Sequence, residues 1–202
     1  MPKKFNENEK QWIRKKLFEE GKRRFESVGL KKTSVEDLTK ASGIAQGSFY
    51  MFYGSKEELL YHILLEEEAA IRNQILATVK EISTVTKEDI KQFLLEALRL
   101  LDENPLIRQM YLDGEFAQLV RKLPPELLKR NFSEDTDALM PVIHSWQAAG
   151  ILVHTRPELI VSLIRSLVLL TLHKPEIGTD IYNDTLSFLL DLISEGMVAK
   201  RD

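Results

Sequence analysis

Two segments of this chain are predicted to be helices too short to stand alone. "TSVEDLTKASG" (33–43) and "AQGSFYMFY" (45–53) each hold about two turns, and isolated helices of that length are marginal in water. They must therefore pack on longer neighbours. Gly29 closes the helix before them, and Gly43 separates them. Both stand where a left-handed residue ends a helix. Thr33 with Glu36, or Ser34 with Asp37, can form a capping box at the start of the first short helix.

The rest of the chain repeats this punctuation on a larger scale, and no strand pattern of useful length occurs. A first helix is predicted from about Glu9 to Val28, with Trp12, Ile13, Leu17, Phe18 and Phe25 as its apolar stripe. Ser55, with Glu58 as reciprocal partner, caps a long fourth helix whose stripe runs from Leu60 to Val79. "STVT" interrupts it, and Thr86 caps Lys87–Glu103. Asn104–Pro105 breaks the chain, and a less regular helix runs to Leu123. Pro124–Pro125 opens a helix to about Ala149, which Pro141 should kink. "ILVHTR" connects it to a helix from Pro157 to His173. "KPEIGTD" separates that from a last helix, about Ile181–Ala199. The expectation is an all-α fold of about nine helices: a three-helix head on a larger helical-bundle body.

Charge divides the chain the same way. Residues 1–56 carry 13 Lys and Arg against 7 Asp and Glu, a net of +6, whereas residues 57–202 carry 15 against 24, a net of −9. A basic head on an acidic body suggests that the head meets a polyanion. The absence of cysteine excludes disulfides and thiolate chemistry. The start "MPKKFNENEK" is not a secretory signal. The most apolar run, Glu158–Leu172, is too short to span a membrane and contains Arg165. A cytoplasmic protein is expected.

Two short helices joined by a glycine turn, after a longer helix, match a helix-turn-helix, whose second helix enters the DNA major groove. Ile44, Phe49 and Tyr53 can anchor that helix inward. Ala45, Gly47 and Ser48 permit close approach to DNA, Gln46 can read a base, and the Tyr50 hydroxyl can reach a phosphate. Lys56, at the start of the next helix, can attract phosphate. Thr33 and Ser34 are caps that can also meet phosphate. With Met51 and Phe52, these complete the expected double-stranded DNA surface.

The segment "TSVEDLTKASGIAQGSFYMFYGSKEELL" resembles the signature of the tetracycline-repressor (TetR) family over about residues 9–65. The matching positions are Ser34, Asp37, Leu38, Gly43, Ile44, Ala45, Gly47, Ser48, Phe49, Tyr50, Ser55, Lys56, Glu57 and Leu59. Thr39 stands where alanine is usual, Phe52 where a polar His or Tyr is usual, and Tyr53 where Phe is usual. The resemblance implies a non-enzymatic, homodimeric transcriptional repressor. Residues 1–56 would bind a palindromic operator. Residues 57–202 would bind a small molecule and dimerise through the last two helices.

Within the body, Phe93, Met110, Tyr111, Phe116, Met140 and Trp146, with Arg108, His144 and Arg165 among them, could line a site for an apolar or amphipathic effector. The helix Pro157–His173 is apolar almost all round. Leu186, Leu189, Leu190, Ile193 and Met197 line one side of the last helix, which suits a dimer interface. The histidines, His62, His144, His154 and His173, have no metal-binding spacing, and no catalytic or nucleotide-binding fingerprint occurs, so neither metal nor cofactor is expected. A DNA-binding architectural or regulatory protein without a small-molecule ligand is the alternative; a helical-bundle enzyme is the weaker rival.

Overall fold

The structure is a computed structural model, and it describes residues 5–79, 85–112, 115–171 and 173–199, with the side chains at 78, 79, 111, 112 and 129–135 excepted. Val79, Tyr111 and Leu172, named above for their side chains, lie outside the described side chains. Among the described residues every regular element is a helix: α1 (Glu7–Lys32), α2 (Val35–Ala41), α3 (Gln46–Phe49), α4 (Lys56–Val79), α5 (Lys87–Glu103), α6 (Pro105–Leu112), α7 (Glu115–Val120), α8 (Pro125–Ala148), α9 (Pro157–Thr171), α10 (Lys174–Ile177) and α11 (Tyr182–Met197). Among the described residues eleven helical segments are present, where about nine were expected. In the stretch 105–123 the described helical residues are Pro105–Leu112 and Glu115–Val120, and the "KPEIGTD" connector contains the one-turn α10.

The chain packs as two compact units. The first comprises residues 1–69 and 104–124, and the second residues 70–103 and 125–202. Packing therefore divides the chain differently from the sequence boundary at Lys56: α6 and α7 belong to the same unit as the head.

The first unit is built on α1. Asn6 caps it, accepting from Glu9 N while Glu9 accepts from Asn6 N. The predicted stop at Gly29 is present, with φ 80° and ψ 170° between helical turns. Ile13, Leu17 and Phe25 are buried as expected, whereas Trp12 is 55% exposed and does not join the core. Leu38 of α2, Phe49 of α3, Leu59 and Ile63 of α4, and Met110 of α6 are also buried. At Gly21 an added Cβ would stand 3.0 Å from Leu59 Cδ2 and 3.1 Å from Ile63 Cδ1. Glycine there lets α1 and α4 approach closely, a role that periodicity does not reveal.

In the second unit α5 packs against α9 and α11, and α8 against α9. Ile90, Leu94 and Leu98, spaced at four residues, form one wall of a core with Ile143, Val161, Leu167 and Leu190. Gly150 (φ 67°) ends α8, with Ile151 N donating to Trp146 O and Gly150 N to Gln147 O. The connector after it is tied down. The buried Gln147 amide donates to the carbonyls of Val153 and Thr155, and Val153 N donates to Met197 O. An isolated antiparallel bridge joins Leu152 to Val198. Pro141 lies inside α8, where it lacks an N–H to donate back along the helix.

Candidate nucleic-acid interface

The helix-turn-helix forms because each short helix is closed by specific hydrogen bonds. Of the two boxes the sequence allowed, Ser34 and Asp37 make the one found. Ser34 Oγ accepts from Asp37 N at 3.1 Å, and Asp37 Oδ2 accepts from Ser34 N at 3.1 Å. These bonds from Ser34 hold the Asp37 carboxyl below its ordinary pKa. The α2 C-terminus is a Schellman turn. Ile44 N donates to Thr39 O at 3.0 Å and Gly43 N to Lys40 O at 3.3 Å, with Gly43 at φ 70°. Thr39, the departure from alanine, is buried and satisfied: its hydroxyl donates to Val35 O and Glu36 O.

The four aromatics then divide by role. Phe49 is fully buried, and its ring meets Tyr50 at 5.5 Å and Tyr53 at 6.0 Å. Tyr53 is half-buried against His62, and burial raises its phenol pKa. Tyr50 and Met51 are 58% and 48% exposed. Phe52 is partly covered, 6.1 Å from the Phe5 ring and 5.9 Å from the Arg14 guanidinium carbon.

Ala45, Gln46, Gly47, Tyr50 and Met51 lie exposed at or near α3. A Cβ on Gly47 would meet nothing within 4 Å, and its φ is not positive, so nothing inside the protein requires glycine there. Ser34 is exposed, and Ser48 and Phe52 are partly so. Two expected DNA-facing residues have internal work. Thr33 is 1% exposed and its hydroxyl donates to Gly29 O at 2.8 Å, so it closes α1 instead of facing solvent. The Lys56 ammonium donates to Leu30 O at 2.8 Å and Thr33 O at 2.6 Å. Two of its three donors are spent on the end of α1. Glu58 accepts from Gly54 N, one residue before the predicted partner, while Ser55 Oγ accepts from Glu58 N.

Beyond the helix-turn-helix, polar bonds fasten α6 and α7 within the first unit. Lys122 pairs with Glu57 at 2.8 Å and Lys31 with Glu115 at 3.0 Å. Glu67 accepts from Lys22 at 2.5 Å and from Asn104 at 2.8 Å.

The expected effector residues do not gather in one unit. Arg108, Met110 and Phe116 belong to the first, and Phe93, Met140, His144, Trp146 and Arg165 to the second. Phe93 and Trp146 meet edge to face at 6.4 Å and pack on the second core. Arg108 and His144 are exposed, while Met110 is buried. Among the described residues no three His, Asp or Glu side chains group as a metal site, and no helix is long and apolar enough to cross a membrane.

The geometry defines an all-α protein with a helix-turn-helix head. Comparison with known proteins finds a match for the head. Residues 17–63 match the model of the bacterial regulatory proteins, tetR family. The head is therefore similar to the DNA-binding domain of that family of transcriptional regulators. The solved structures carry the same fold through the body. A TetR-family transcriptional regulator from Pectobacterium atrosepticum is similar at 18% identity, TM-score 0.74, over 98% of this chain and 100% of that one. SmeT, the repressor of the Stenotrophomonas maltophilia multidrug efflux pump SmeDEF, is similar at 16% identity, TM-score 0.60, over 93% and 91%. Reduced Escherichia coli NemR is similar at 15% identity, TM-score 0.60, over 94% and 100%. No curated protein sequence matches the chain.

Proposed function

We propose that this chain is a homodimeric, cytoplasmic repressor that binds a palindromic operator through α3 and is released by a small apolar or amphipathic effector. The observation that carries the DNA part is Gly47: a glycine that no internal contact or backbone angle requires, on the exposed face that also bears Gln46, Tyr50 and Met51. A surface that must approach DNA closely explains it. Gln46 reads a base edge, adenine most favourably. Tyr50 donates to phosphate, and Ser34 and Ser48 border the same surface. The third Lys56 donor remains for phosphate. Residues 1–56 serve as the DNA-binding domain and the remainder as the regulatory and dimerising one.

Dimerisation is supported by apolar side chains that no other part of the described chain covers: Leu159 and Leu169 of α9, and Phe188 and Leu192 of α11. The effector part is supported by the Phe93–Trp146 pair on α5 and α8. The test is gel retardation. The wild type should retard its upstream region in competition with random duplex at physiological salt, and Gln46→Ala should change preference at one or two base positions. Equal affinity for both DNAs would defeat the reading.

A further inference from the structure

We propose that Arg14, on α1 and outside the helix-turn-helix, is a DNA phosphate contact held in place by Phe52. The inference rests on the reading of α3 as the DNA-facing helix. Among the described residues, every basic side chain from Lys10 to Lys31 except Arg14 reaches a carboxylate, at 2.5–3.8 Å. Each of these cations thus has an anionic partner within the first unit, Glu67 and Glu115 being partners from beyond residue 56. Arg14 is the exception. Its charge is felt at Glu7, but it makes no ion pair. Its guanidinium instead lies 5.9 Å from the centroid of the Phe52 ring, and Phe5 closes on the same ring at 6.1 Å.

Phe52 follows directly on Tyr50 and Met51, the exposed pair beside α3. An arginine seated on this ring stands at the border of the proposed interface. Its side chain is exposed. A guanidinium over an aromatic face keeps its edge donors free while its plane is fixed, so less rotamer freedom is lost when those donors meet a phosphate. Phe52 cannot itself hydrogen-bond DNA. Its role in this arrangement is to position the residue that does.

The test uses the full-length chain and a mixed-sequence duplex of about 30 base pairs, because phosphate contacts do not depend on sequence. Arg14→Gln should lower the slope of log affinity against log salt by about 0.9, so that roughly threefold less affinity is lost between about 50 and 200 mM salt. Its melting temperature should not change. Arg14→Lys should keep most of the slope. In a Phe52→Leu background, Arg14→Gln should cost less affinity than in the wild type, because the seat is already gone. An unchanged slope in Arg14→Gln, or strict additivity with Phe52→Leu, overturns the proposal while a steep wild-type slope keeps the DNA-binding reading. A loss that differs between A·T-rich and G·C-rich duplexes overturns the phosphate assignment. A wild type whose affinity ignores salt defeats both.

Discussion

The Lys56 ammonium donates to the Thr33 carbonyl at 2.6 Å, and so ties the first residue of α4 to the turn that ends α1. The same ammonium takes the Leu30 carbonyl at 2.8 Å. Both carbonyls lie at a helix end, where acceptors lack partners along the chain. Lys56→Met keeps most of the aliphatic stem and removes both bonds. It should destabilise the protein by about 2 kcal/mol, as hydrogen bonds from a charged donor to partly buried acceptors do. Thermal melting checks this. Lys56→Met melting with the wild type would show that the bonds contribute nothing.

Gly47→Ala should separate stability from function. The added methyl has open space and an ordinary φ. Alanine in the helix should raise stability by about 0.5–1 kcal/mol. At the DNA surface the same methyl should obstruct the close approach of α3, and operator affinity should fall roughly tenfold, as overpacking a tight contact does. A variant both more stable and equally tight would show that DNA does not approach this face.

Glu57 gives a pH dependence with a definite sign. Burial acts to raise its pKa, but the hydrogen bond from Lys122 and the other favourable contacts outweigh burial, and the carboxyl lies below its ordinary value of 4.5. A depressed folded pKa means that the ionised form is stabilised by folding. The contribution is fully present above the unfolded value and is lost as pH falls through the folded one. Glu57→Gln should therefore melt below the wild type near neutrality, and the gap should narrow below about pH 4.5. A gap independent of pH would assign the effect to packing alone.

The head was more legible than the body, for physical reasons. Ser34, Gly43 and Gly29 act through local hydrogen bonds and backbone angles, and such effects are written in adjacent residues. The division of Phe49 inward and Tyr50 outward follows from the same short range. Trp12 misled because its spacing fits the α1 stripe, whereas its burial depends on what α1 meets. The Lys56 staple spans 23 residues and the Glu67–Asn104 bond 37, so no local pattern announces either. Phe93 and Trp146 were visible as large apolar residues, but only tertiary packing brings their rings together.

Dimerisation can be tested at two residues one turn apart. Phe188 and Leu192 on α11 are 65% and 54% exposed, although Leu190 between them is fully buried in the second core. The face expected to dimerise, Leu186, Leu189, Leu190, Ile193 and Met197, is turned inward onto the second core, and Phe188 and Leu192 present a different apolar face outward. Leu159 and Leu169 leave a similar surface on α9. Two large apolar groups at this spacing favour a partner helix over water, with roughly 25 cal/mol gained per Å² of apolar surface covered. A second copy of the same chain offers the same patch, which is what a two-fold interface requires. The wild type should sediment as a dimer of the 23.3 kDa chain at micromolar concentration. Phe188→Glu with Leu192→Glu should give a folded monomer of unchanged helix content, since neither side chain belongs to the buried core. That monomer should bind half an operator with much reduced affinity, because the second head no longer adds its contacts. A wild type that sediments only as the single chain would rule out the interface, and a variant that remains dimeric would move it elsewhere on the surface.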